Sequence, residues 1–164
     1  MPTPGHTQGH VVFTDAGSGL LFAGDHVLPH ITPSIGFEPV LARQPLGDYL
    51  ASLRLVRAMP DLRLLPAHGP VTASTHTRVD ELLRHHDDRF TACADAVTAG
   101  AATGYQVARA LRWTSRDRGL DELDPFNQML AVIETRLHLD LLAAQGRLTV
   151  IWTDGVACYD SRPR

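Results

Sequence analysis

Lysine is absent: all 15 basic residues of this 164-residue chain are arginine. With the abundant alanine, this bias reads as the imprint of a GC-rich genome and not as a functional signal. Only two cysteines occur, Cys93 and Cys158, which excludes a disulfide framework and suits a reducing cytoplasm. No apolar run approaches the roughly 18 residues that a membrane span requires, so no transmembrane segment is expected. The opening Met1-Pro2-Thr3-Pro4-Gly5-His6 has neither a basic stretch nor an apolar one, so no secretory leader is expected either. Excess positive charge is also missing. The formal charge is −3 and the pI about 6.3, which is no footprint for nucleic acid.

What is present is enough apolar sequence for a packed core, 44% of residues against 20% charged, on a length that suits one domain or two small ones. Nine histidines stand out, and five of them (His6, His10, His26, His30, His68) fall in the first 70 residues. That is where chemistry is to be sought.

Residues 1–74 read as short strands and loops with one helix. Val11-Val12-Phe13, Leu20-Leu21-Phe22-Ala23 and Leu64-Leu65 are short apolar runs bounded by Gly and Pro, as buried strands are. Leu46, Tyr49, Leu50, Leu53 and Val56 recur at helical spacing, and Pro60 closes that helix. Residues 75–164 change texture. Val79, Leu82, Leu83, His86, Phe90, Cys93 and Val97 share one helical face, with Gly100 as the stop. A second helix is expected over Tyr105–Trp113. A third starts at Asp124-Pro125, an N-cap followed by proline at the first helical position, and runs to Gly146. Leu148–Trp152 and Val156–Tyr159 flank the turn Thr153-Asp154-Gly155 as a β-hairpin. Three helices and a two-stranded wing make a winged helix. Such domains often read DNA, but residues 79–164 set ten arginines against thirteen acids, and the third helix offers Glu134, Arg136, His138 and Asp140. The charge argues against nucleic acid and for a structural or dimerising role.

Three loops at strand ends carry metal-ligand residue types. Pro4, Gly5 and Gly9 prevent His6 and His10 from being a helical pair, so Thr3–His10 is a Gly-rich loop leading into a strand. Gly24-Asp25-His26 closes the second strand, and Pro66-Ala67-His68-Gly69 closes the third.

As strings these segments resemble the metallo-β-lactamase fold hydrolases. Thr3-Pro4-Gly5-His6-Thr7-x-Gly9 is similar to the third metal motif of that family, Leu20–Asp25 to its fourth, and Pro66–Gly69 to its fifth. Residues 75–164 resemble the winged helix of one branch, through Glu134–Leu142 and Gly146-Arg147-Leu148. The resemblance implies an α/β chain: the C-terminal half of an αββα sandwich, then a winged-helix domain. It implies a two-zinc site, with His6 at one Zn2+, Asp25 bridging both and serving as the catalytic carboxylate, and His68 at the other. His26 and His30, beside Asp25, are candidates for the substrate pocket. The implied substrates are small molecules with ester, thioester, lactone or phosphodiester bonds.

One departure qualifies this. The family's His-x-His-x-Asp-His motif, which supplies four of the ligands, occurs nowhere in the chain. The reading is therefore of an N-terminally truncated hydrolase whose first 70 residues expose apolar sheet, and the chain alone is not expected to be active. The competing reading is a non-catalytic remnant or an interaction module, dimerising through the winged helix. In a third reading, the missing half is a separate chain.

Overall fold

The computed structural model describes residues 1–40, 42–114 and 116–161. The chain divides into two compact units, Met1–His86 and Asp87–Arg164.

The first unit is built on a three-stranded sheet in the order β1 (Phe13–Asp15), β2 (Leu20–Gly24), β3 (Arg63–Pro66). β1 runs antiparallel to β2, with Phe13 opposite Phe22, while β3 runs parallel to β2. Leu21 and Ala23 point inward and are buried; Phe22 between them is exposed, which is the period-two alternation of a strand with one covered face. The parallel pairing needs a crossover, and α1 (Pro45–Arg57) supplies it. Pro45 takes the first helical position, where its missing N–H costs nothing, and Leu46, Tyr49, Leu50, Leu53 and Val56 form the buried stripe. The strand expected from Val11 begins at Phe13 instead: Val11 forms only an isolated bridge with Pro2. The outward positions are apolar, with Phe13 65% and Phe22 45% exposed on paired residues.

α2 (Thr75–Thr98) starts in the first unit and ends in the second. The second unit continues with α3 (Gly104–Ala110), a 3-10 turn (Leu120–Glu122), α4 (Pro125–Ala144) and the hairpin of β4 (Thr149–Thr153) and β5 (Val156–Asp160). Thr103 and Gln106 close a capping box on α3, and Asp124 accepts from the N–H groups of Phe126 and Asn127 at the start of α4. α3 stops earlier than the spacing of Val107, Ala108 and Leu111 predicts. Leu111 is extended, and Trp113 folds back so that its buried indole N–H donates to the Ala108 carbonyl at 2.9 Å. Trp113 also bridges to Arg118 and receives the Arg89 guanidinium 4.0 Å above its ring. Cys93 is fully buried, and that burial pushes its thiol up to about 12. Among the described residues no helix is long and apolar enough to cross a membrane.

α1 and the loop of residues 3–10 meet without room for a side chain. Gly5 has φ +136°, and a methyl group there would run into the main chain of Tyr49. Gly9 in the same loop has open space around it. Gly5→Ala should therefore cost about 2–5 kcal/mol, combining overpacking with backbone strain. Gly9→Ala should stay within about 0.5 kcal/mol. Urea midpoints of the two variants check this.

Candidate metal centre

Strand polarity places the candidate residues. β2 and β3 are parallel, so both end on the same edge of the sheet, and the Gly24 carbonyl accepts from Ala67 N–H at 2.9 Å across those ends. Residues following the carboxyl ends of parallel strands are the usual ligand positions of α/β sheets. Asp25 and His68 follow these ends, and Asp25 Oδ1 lies 3.4 Å from His68 Nε2. β1 is antiparallel, so the loop that precedes it, with His6 and His10, reaches the same edge.

His6 is oriented from outside its own loop. Its Nδ1 donates to the Ser34 carbonyl at 2.7 Å, which is the only role a carbonyl partner permits. Nε2 is thereby left as the lone-pair nitrogen, the arrangement that metal-binding histidines take from an outer partner. The same segment is tied to Gln8, whose N–H donates to Glu38 at 3.0 Å and whose side-chain amide donates to the Val40 carbonyl at 2.7 Å. Arg78 of α2 clamps its other end, donating to the carbonyls of Leu28 and Ile31. Reasoning from sequence missed Ser34, Glu38 and Arg78. A long Pro- and Gly-containing loop signals function in general terms, but a carbonyl acceptor carries no residue-type signal.

Behind this edge the rings form a contiguous file. His6 meets His10 edge-on at 6.1 Å, His10 meets His26 at 5.8 Å, and His26 meets Tyr49 edge-on at 5.1 Å. His10 Nδ1 bonds the Thr3 hydroxyl at 2.9 Å, and its ring occupies the space that a side chain at Gly24 (φ +53°) would need. Burial lowers the pKa of His10, and the neighbouring His6 lowers it further, while Asp25 opposes both. His26 and His30, read from sequence as pocket neighbours, part company. His30 is exposed, whereas the His26 side chain is wholly buried because the chain folds it back under Tyr49, whose hydroxyl donates to the His26 carbonyl at 3.0 Å. The backbone of Ser52 lies beside the His26 ring and opposes the loss of its charge. Burial above all pushes its pKa down to about 4, and His10 adds to this.

By type, His6, Asp25 and His68 fit a transition-metal ion. By placement they fall short. Among the described residues no group of three or more His, Cys, Asp or Glu side chains is placed to hold one. The structure brings Asp25 and His68 together but does not gather them with His6 into a group that could hold a metal ion.

Residues 1–68 match the family profile of the Metallo-beta-lactamase superfamily. A beta-lactamase domain protein from Burkholderia ambifaria superposes with TM-score 0.83 at 31% identity, over 97% of this chain and 46% of that one. Membership of the metallo-beta-lactamase superfamily is thus supported by sequence and by structure. A metallo-beta-lactamase family protein from Thermus thermophilus gives TM-score 0.78 at 26% identity, over 98% of this chain and 48% of that one. Among curated relatives, the lactamase-like protein nscB of Arthroderma gypseum is 32% identical over 153 residues, 92% of this chain and 44% of the relative. The probable metallo-hydrolase YqjP of Bacillus subtilis is 24% identical over 165 residues, 98% of this chain and 49% of the relative. The chain spans about half the length of the relatives it matches.

Nitrogen-15 NMR of the imidazoles should find His6 as the Nδ1–H tautomer at neutral pH, and His26 neutral down to about pH 5. His26 is protonated below about pH 6.5 when unfolded but stays neutral when folded. It therefore withdraws stability as pH falls from about 6.5 towards 4. A His6 ring in the Nε2–H form would contradict the Ser34 contact.

Proposed function

We propose that these residues are part of a zinc-dependent hydrolase. In this reading His6 would hold one Zn2+, His68 a second, and Asp25 would serve both as the catalytic carboxylate. The observation that carries it is the placement of Asp25 and His68, 3.4 Å apart after adjacent parallel strands. Membership of a superfamily in which one relative is a probable metallo-hydrolase supports it. The remaining ligands are assigned to the part of the relatives that lies outside the matched residues.

Zinc held there would supply activation of water at neutral pH and Lewis-acid polarisation of the scissile carbonyl or phosphoryl oxygen. The chain's own residues do the positioning. Ser34 holds His6 with Nε2 free, the pairing of β2 with β3 holds Asp25 beside His68, and exposed His30 is available to a substrate. The substrate carries an ester, thioester, lactone or phosphodiester bond. The balance of ten arginines against thirteen acids over residues 79–164 disfavours RNA among these. In the same reading residues 75–164 are a winged-helix domain, and it joins two copies of the chain. The compartment is the cytoplasm, consistent with two free cysteines.

A second reading rests on the incomplete donor set among the described residues. The chain would then be a non-catalytic interaction module.

A chimera that joins these residues to the unmatched part of the Bacillus subtilis relative separates the two. It should bind zinc and hydrolyse a test set of the four bond types. Asp25→Ala should lower kcat/KM by roughly 10²–10³-fold, the scale of losing one electrostatic stabiliser of the transition state. Zinc binding without hydrolysis of any of the four would overturn the hydrolase reading. Failure to bind zinc would overturn the ligand assignment.

A further inference from the structure

β4 has an unprotected edge. Its sequence, Thr149-Val150-Ile151-Trp152-Thr153, contains no charge, no proline and no glycine, and its pairing with β5 has an unbroken register. Soluble proteins normally guard an edge strand with a charge, a proline, a bulge or a covering segment. The outer edge of β5 is already occupied: Cys158 bridges to Thr103, and Tyr159 N–H donates to the Ala102 carbonyl at 2.8 Å. Among the described residues nothing pairs with the outer edge of β4. The same strand also carries exposed apolar side chains, with Val150 40%, Ile151 44% and Trp152 66% exposed.

The turn fixes which groups face outward. Asp154 (φ 49°) and Gly155 (φ 77°) form a two-residue hairpin loop, which makes Thr153 and Val156 the closing hydrogen-bonded pair. Counting back by two, Ile151 is hydrogen-bonded to Cys158 and Thr149 to Asp160, so the free N–H and C=O groups belong to Val150 and Trp152. These two can bond a second β4 only in a register of matching parity. Antiparallel pairing with Ile151 on a two-fold axis satisfies that parity and overlaps all five residues. It sets Val150 of one copy opposite Trp152 of the other at both ends, giving four main-chain hydrogen bonds. It also gives two β-branched–aromatic cross-strand pairs, a stabilising combination. Beyond the strand ends, exposed Arg147 of each copy comes beside exposed Asp154 of the other. The edge is thus complementary to itself in hydrogen bonding, in shape and in charge.

We propose that the chain forms a homodimer through antiparallel β4–β4 pairing centred on Ile151, giving one continuous four-stranded sheet. The occupant of the edge is a second copy because one register satisfies its donors, its apolar side chains and its flanking charges together. The inference does not depend on the hydrolase reading.

Light scattering and sedimentation of the full chain across a micromolar concentration series should give a mass tending to twice 17.9 kDa. Ile151→Lys places two like charges at the axis and should weaken association at least tenfold, with an unchanged circular dichroism spectrum because Ile151 is a surface residue. In a Cys158→Ala background, Ile151→Cys should form an intermolecular disulfide on mild oxidation, since residues paired on the axis have Cα atoms about 4.5 Å apart. Thr153→Cys should not, because its two copies lie roughly 13 Å apart in this register. A monomer at every concentration, a dimer indifferent to Ile151→Lys, or equal cross-linking at Thr153 would overturn the proposal.

Discussion

The first unit depends on the seat of Tyr49. The residue is fully buried on the inner stripe of α1, and three contacts radiate from it. Its main chain lies against Gly5, which leaves no room for a side chain beside His6. Its hydroxyl donates to the carbonyl of His26, the residue after Asp25. Its ring meets the rings of His26 and, at 5.6 Å, of His86 on α2. One turn further on, Ser52 adds a hydrogen bond to the Pro4 carbonyl at 2.8 Å. Two loops that are remote in sequence are therefore referenced to the same helix. Burial raises the pKa of Tyr49 far above the usual range, so the hydroxyl remains a donor at any physiological pH.

From that seat the site follows by strand polarity. The helix between β2 and β3 is what makes the two strands parallel, and parallel strands put Asp25 and His68 on the same edge. The side chains differ in environment in a way that suits different work. His68 is 73% exposed and free to turn towards a ligand, while Asp25 is 33% exposed and backed by the buried His26.

Much of this is legible in sequence because the signals are local. Apolar runs ending in Gly-Asp or Pro-Ala-His mark β2 and β3 with the loops that follow them. Asp124-Pro125 marks the start of α4, and Asp154-Gly155 marks the hairpin turn. What escapes depends on distant partners. The end of α3 is set by where the Trp113 indole finds the Ala108 carbonyl, and apolar spacing carries no trace of that choice. The helical spacing of Tyr49 announces a core residue but not that its hydroxyl reaches back 23 positions to His26. His26 follows Asp25 in the chain, which suggests a pocket neighbour, but the turn after β2 sends its ring inward. The Ser34 carbonyl is invisible to any reading of residue types.

The most direct test is a Zn2+ titration of the full chain, followed through the ring nitrogens of all nine histidines. With no group of three donors gathered among the described residues, binding should be weak. His6 and His68 should then both shift at Nε2, and Asp25→Ala should weaken both shifts. If neither histidine responds, or if other histidines respond in their place, the strand-end loops do not serve one metal centre.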